Sequence, residues 1–150
     1  MTPLFKKLNY KGQHIIYVLN APDSFQAELK EMSAVSKVMT TTEANSKIEF
    51  ALVFVIRQTD VESYAQKVLP YLQGDAVLWF CYPKGTSKKY KCDINRDKGW
   101  NILGESGLEP VRQVAIDEDW SALRFRKAVH IKEMRRDFAI SEEGKKRTGK

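Results

Sequence analysis

Two segments of the sequence are almost continuously apolar, at residues 48–56 and 76–82. A strand with one face in water alternates apolar and polar residues, whereas a strand covered on both faces reads as an unbroken apolar run. Parallel sheets flanked by helices bury their strands in this way. Both segments are far shorter than the roughly 20 residues needed to cross a bilayer. We therefore expect a central sheet with helices on both faces.

Strands and helices are predicted to alternate along the chain. Runs of β-branched and aromatic residues predict six strands, at residues 14–19, 34–39, 48–56, 76–82, 109–116 and 122–129. Apolar residues three or four positions apart predict helices between them, one carrying Phe25, Leu29 and Met32 and another carrying Val61, Ala65, Val68 and Leu72. Alternating strands and helices favour a mostly parallel sheet. In the last strand Leu123 and Phe125 alternate with arginines, which indicates an antiparallel hairpin.

Side-chain chemistry predicts where the helices begin and end. Thr59 and Glu62 match a capping box at the start of one helix, and Gly74 with Asp75 is expected to follow its end. Asp93 is expected to cap a further helix that reaches about residue 105.

These elements predict an α/β fold, a three-layer Rossmann-like arrangement with a mostly parallel sheet of about six strands. A length of 150 residues suits one domain, placed at residues 1–129. Residues 130–150 are predicted to form a basic tail, partly helical through Ile131, Met134 and Phe138 and then disordered. Two cysteines cannot build a disulfide framework, and residues 1–7 lack the apolar stretch of a secretory signal. We expect a reduced, cytoplasmic protein, with its oligomeric state left open.

Three segments carry a resemblance to known proteins: VLNAP at 18–22, AVLWFCYPK at 76–84 and IDEDWSALRF at 116–125. Over about residues 8–128 the sequence resembles a family of short bacterial Rossmann-like proteins of unknown function. Its layout is also distantly similar to a truncated class I methyltransferase that lacks the glycine motif. That resemblance implies a sheet order of about 2-1-3-4-6-5, and it brings S-adenosylmethionine (SAM) into consideration as a ligand.

Two positions depart from the methyltransferase pattern. In that family the first strand leads into a glycine-rich loop, whereas residues 19–24 here contain no glycine and include Pro22, which has no amide proton. The family holds the cofactor ribose with an acidic residue at the end of the second strand. Here that place has Thr40, Thr41 and Thr42, with Glu43 just beyond.

The candidate site lies beyond the carboxyl ends of the strands, where open α/β sheets bind ligands. The loop after the fourth strand offers four lysines, two hydroxyls and a glycine without any acid, which are groups that hold a phosphate or carboxylate. The candidate ligand-binding residues are Lys84, Gly85, Thr86, Ser87, Lys88, Lys89, Asp117, Trp120, Ser121 and Asn20. Two simpler readings stay open: a solvated basic loop, and a charged turn at 117–121 over which the tryptophan packs.

Patterns for catalysis are not found in the sequence. His14 and His130 belong to no recognisable triad, and neither they nor the cysteines have zinc-ligand spacing. Cys81 lies in an apolar strand, whereas Lys91 and a following helix start would lower the pKa of the Cys92 thiol. We therefore predict no catalytic residue, no metal and no structurally required cofactor, and favour a protein that is not an enzyme.

The net charge of +6 arises from the end of the chain. Residues 1–120 hold 15 basic and 15 acidic side chains, whereas residues 121–150 hold 10 and 4. The favoured function is a non-catalytic Rossmann-like module that binds a small anionic or nucleotide-like ligand. One alternative is nucleic-acid or acidic-protein binding through the basic C-terminal segment. Another is a divergent SAM-dependent methyltransferase. No membrane partner is expected.

Overall fold

The computed structural model describes residues 1–131. Its strands are β1 (Ile15–Leu19), β2 (Lys37–Met39), β3 (Ile48–Phe54), β4 (Leu72–Pro83), β5 (Leu108–Ala115) and β6 (Trp120–Lys127). Its helices are α1 (Pro3–Lys7), α2 (Gln26–Met32), α3 (Gln58–Val68) and α4 (Asn101–Glu105). Short 3₁₀ turns occupy Asp23–Phe25, Leu69–Tyr71 and Ala128–His130.

The six strands form one sheet in the order β2-β1-β3-β4-β6-β5. The pairs β1–β2, β1–β3 and β3–β4 are parallel, whereas β4–β6 and β5–β6 are antiparallel. The predicted Rossmann-like fold, its strand order and its terminal antiparallel hairpin are therefore confirmed.

The sheet buries a separate core on each face. Along β4, Leu78 and Phe80 belong to the core that α3 and α4 cover, which we call the α3 face. Val77 and Trp79 belong to the core that α1 and α2 cover, which we call the α1 face. Successive side chains of a strand point to opposite faces, so residues 50–54 of β3 and 77–81 of β4, which are covered on both sides, are all apolar. Burial on both faces explains the two apolar runs in the sequence.

Helix α1 is a feature that the sequence analysis did not identify. The Thr2 hydroxyl caps it by accepting a hydrogen bond from the Phe5 amide at 3.1 Å, and Pro3 follows at the first helical position. Phe5 is fully buried and stacks on Phe50 with ring centroids 5.8 Å apart. The segment after α1 is held by Trp79, whose Nε1 donates to the Leu8 carbonyl at 2.8 Å.

The second predicted helix is present, but its ends differ from the prediction. Helix α3 begins at Gln58, and the Asp60 carboxylate accepts hydrogen bonds from the amides of Ile56 and Arg57, both at 3.0 Å. Thr59 therefore lies inside the first turn instead of capping it. Gly74 and Asp75, expected after the helix, lie in β4, which begins at Leu72.

Asp93 does not begin a helix. Its Oδ1 accepts a hydrogen bond from the Gln58 amide at 2.7 Å, so this carboxylate caps α3 from a distant part of the sequence. Helix α4 starts only at Asn101. Residues 84–100 form a long loop, interrupted by an isolated β-bridge between Asn95 and Lys98. We call residues 84–98 the lysine loop.

The predicted C-terminal tail lies mostly outside the described residues. Ile131, the last of them, is 8% exposed. The expected helix through Met134 and Phe138 falls beyond it. Within residues 1–131 no helix is both long and apolar enough to cross a membrane.

Replacing Trp79 with phenylalanine tests the attachment of the N-terminal segment. The Leu8 carbonyl loses its donor inside a core, and the smaller ring leaves a cavity, so we expect a loss of about 2 kcal/mol in the free energy of unfolding. Urea denaturation followed by fluorescence measures it. Val129→Ala, at a 68% exposed position, is the control and should stay within about 0.5 kcal/mol of wild type. An equal result for both variants would contradict the proposed anchor.

Replacing Asp93 with alanine tests the long-range cap. Loss of a carboxylate cap costs about 1 kcal/mol, and hydrogen exchange should become faster in the first turn of α3. Asp97→Ala, in the same loop, is the matched control, because the hydrogen bond of Asp97 is from its amide to Asn95 within that loop and loss of its side chain should leave exchange in α3 unchanged. Unchanged exchange in Asp93→Ala would show that α3 does not need this contact.

Candidate functional site

Strands β1, β3 and β4 end at the same edge of the sheet, which we call the carboxyl edge. The antiparallel β6 begins there, because Pro83 at the end of β4 is in register with Trp120. The loops at residues 20–24, 84–98 and 116–119 therefore emerge together. These three loops carry most of the predicted candidate residues.

Asn20 occupies the point where the strand order reverses, with β2 on one side of β1 and β3 on the other. Its backbone has φ of 60°, a left-handed conformation that favours glycine or asparagine. Its side-chain Nδ2 donates to the Phe54 carbonyl at 2.9 Å. The crevice where doubly wound folds bind ligands is thus bridged by a side chain that links the ends of β1 and β3.

The lysine loop and the acidic turn of the terminal hairpin are in direct contact. The Lys84 amide donates to the Asp119 carbonyl at 2.8 Å, and the Ser87 hydroxyl donates to Asp119 Oδ1 at 2.8 Å. Ser87 Oγ also accepts from the amides of Lys89 and Tyr90 at 3.2 and 3.3 Å. Ser87 therefore fixes the shape of the loop, and the two segments that the sequence could not connect form one unit.

The acidic turn is closed by its own hydrogen bonds. Asp117 Oδ1 accepts from the amides of Asp119 and Trp120, both at 2.8 Å. Trp120 is only 3% exposed, and its ring lies 5.0 Å from that of Tyr90 and 5.1 Å from that of Phe54, between centroids. This arrangement agrees with the reading of a charged turn whose tryptophan packs against the core.

The lysine loop encloses a groove of about 450 Å³. The groove is basic, because three lysines and only one carboxylate line it. Its lining residues are Pro83, Lys84, Gly85, Ser87, Tyr90, Lys91, Cys92, Asp93, Ile94, Asn95 and Lys98. The carboxylate, Asp93, already accepts the Gln58 amide. The arrangement is suited to an anion.

The far wall of the groove is held by tight packing around Gly99. Its backbone has φ of +104°, and an added Cβ would lie 2.1 Å from the side chain of Ile94. Trp100 follows, and its Nε1 donates to the Asn95 carbonyl at 2.8 Å. Ile94 and Trp100 are each 4% exposed. The loop is thus anchored to the α3 face at one end and to Asp119 at the other.

The groove offers binding groups but no activated nucleophile. The pKa of the Cys92 thiol is raised mainly by burial, and the nearby Asp93 and Asp60 raise it further. The expectation of a lowered pKa was wrong, because the helix that would have stabilised a thiolate starts at Asn101. Burial likewise raises the pKa of Cys81, which is fully buried.

The structure distributes the candidate residues unevenly around the groove. Lys84, Gly85 and Ser87 line it, whereas Thr86, Lys88 and Lys89 are on the same loop outside the lining. Ser121 is 5% exposed within β6.

The sequence analysis missed Lys91, Asn95 and Lys98 as site residues. Lys91 was visible in the basic run, but the other two were hidden by the helix predicted from residue 93. Within residues 1–131 no group of three metal-ligating side chains is assembled.

Comparisons with known proteins show a likeness of fold. No protein-family model and no curated protein sequence matches the chain. Among solved structures, the pyocyanin biosynthetic protein PhzM matches with a TM-score of 0.51 and 9% identity, over 81% of this chain and 52% of PhzM. LepI, in a complex with SAM, matches with a TM-score of 0.50 and 13% identity, over 83% of this chain and 39% of LepI.

A shorter protein from Sulfolobus solfataricus, provisionally assigned as a type 11 methyltransferase, gives a TM-score of 0.48 and 8% identity over 83% of this chain and 89% of its own. At such identities the likeness concerns the fold alone. The chain has a Rossmann-like fold similar to those of PhzM and LepI.

Proposed function

We propose that this protein is a non-catalytic Rossmann-like module that binds a small anionic or nucleotide-like ligand in the groove of the lysine loop. The observation that carries this proposal is the groove itself, with Lys84, Lys91 and Lys98 around its opening and its one carboxylate engaged by a backbone amide. Lysine ammonium groups form charge-assisted hydrogen bonds with phosphate and carboxylate oxygens.

Two features support a binding role over a catalytic one. The lining residues include no histidine, and the thiol among them has a raised pKa. The walls are fixed through Asp119, Asp93 and Gly99. A preorganised basic groove loses little conformational entropy on binding, which favours affinity.

A SAM-dependent methyltransferase is the second candidate, favoured by one specific observation. After β1 the chain adopts, at Asn20, a left-handed conformation of the kind that glycine favours. The loop that follows nevertheless has no glycine, and the side-chain amide of Asn20 donates to the Phe54 carbonyl of β3. The anion-binding proposal is therefore preferred, and SAM belongs in the test.

A matched pair of double substitutions tests the groove. Lys91→Ala/Lys98→Ala and Lys88→Ala/Lys89→Ala each remove two positive charges from the lysine loop, but only the first pair lines the groove. We expect the first variant to bind inorganic phosphate or ATP at least about tenfold more weakly, since about 1.4 kcal/mol is lost for each factor of ten. The second variant should change affinity by less than about threefold.

Isothermal titration with phosphate, ATP, NAD and SAM gives the affinities, and a thermal-shift series confirms them. A ligand at 100 times its dissociation constant stabilises the fold by about 2.7 kcal/mol, which raises the melting temperature by several degrees. Equal losses in both variants would show that only the net charge matters. Binding of SAM alone, weakened by Asn20→Ala, would replace the proposal with the second candidate.

A further inference from the structure

A second basic cluster lies on the sheet away from the groove. Along β6, Arg124 and Arg126 alternate with the buried Leu123 and Phe125 of the α3 face, so the arginines belong to the α1 face. Arg112 of β5 stands beside them, in register with Arg124. Because β6 runs away from the carboxyl edge, this cluster lies toward the opposite end of the strands.

Arg126 is committed to partners within the protein. Its Nε and Nη2 donate to the two carboxylate oxygens of Asp75 at 3.1 and 2.5 Å, and Nη2 also donates to the His130 carbonyl at 3.1 Å. The bond from Arg126 is the main reason that the pKa of Asp75 is lowered. A second carboxylate, Glu109, is in register with Arg126 and fully buried. Asp75 is thus engaged by Arg126.

Arg124 has an unmet hydrogen-bonding group. It is half-buried, and within the described residues its Nε is buried with no acceptor. Burial is the main cause of its lowered pKa, and the neighbouring Arg126 and Arg112 lower it further, although the guanidinium stays charged. A partly desolvated cation beside two like charges is destabilising. Asp75 raises the pKa of Arg124 but does not cancel these effects, and an oxyanion at the solvent-exposed part of the side chain would supply further compensating charge.

We propose that Arg112 and Arg124, next to the paired Arg126, form a docking surface for the phosphate backbone of a nucleic acid. Arg112 and Arg124 face each other across β5 and β6, so their two charges lie close together. Arg112 is exposed on the edge strand β5. The chain continues from this surface into residues 132–150, which hold seven basic and four acidic side chains. This excess of positive charge next to the arginines favours binding to a polyanion.

Fluorescence anisotropy with labelled single- and double-stranded oligonucleotides, on the full chain, tests this surface. Arg112→Glu reverses an exposed charge, and Arg124→Lys keeps the charge but removes the buried Nε. We expect Arg112→Glu to weaken binding at least about tenfold at 0.1 M salt and to reduce the slope of log K against log salt by about one or more. Lys30→Glu, exposed on α2, changes the net charge equally and should weaken binding less than threefold.

Melting curves confirm that each variant is folded, and further variants separate the competing explanations. Loss of binding in Lys145→Ala/Lys146→Ala/Arg147→Ala with none in Arg112→Glu would overturn the proposal in favour of the C-terminal segment alone. Loss only in Lys91→Ala/Lys98→Ala would place the nucleic acid in the groove. Equal affinity for poly-glutamate would indicate an acidic protein partner. Weaker binding in Arg124→Lys, with phosphate affinity at the groove unchanged, would support the arginine surface.

Discussion

The burial of β3 and β4 on both faces is the constraint on which the rest of the structure depends. Phe50, Leu52, Val53, Trp79 and Phe80 are all fully buried, and each large apolar side chain removed from water contributes about 1.5–3 kcal/mol. Neither face of the sheet can be left in water. Helices α3 and α4 cover one face, and α1 with α2 covers the other. Polar chemistry is consequently excluded from the centre of β3 and β4 and is found at the strand ends and on β5 and β6.

At the carboxyl edge, contacts between the strand ends determine where the groove lies. Asn20 links β1 to β3, and Trp120 packs between Phe54 and Tyr90. These contacts connect the ends of β1 and β3 to each other and to the start of β6. The groove lies instead beyond β4, under a loop fastened by Asp119 and Asp93. The groove proposed as the ligand site therefore lies away from the point where the strand order reverses.

The sequence predicts the parts of the fold that local pattern controls. The apolar runs and the alternation in β6 were sufficient for the α/β class and the terminal hairpin, because burial on one or two faces leaves a direct record in the residue pattern. The strand order itself came from the resemblance to class I methyltransferases. The errors involve contacts distant in sequence. Asp93 has the chemistry of a cap, but the amide it binds is Gln58, 35 positions away. The lysine loop was recognised up to Lys91, whereas Asn95 and Lys98 join the groove only through the turn at Gly99.

The two basic regions act at separate ends of the sheet. Arg124 is in register with Trp79 of β4, four residues before Pro83, which lines the groove. At about 3.3 Å per residue these two positions are separated by roughly 13 Å. That distance exceeds the Debye length of ~8 Å at physiological ionic strength. Charges in the groove and on the arginine surface are therefore partly screened from one another, so a substitution at one has only a small electrostatic effect on the other.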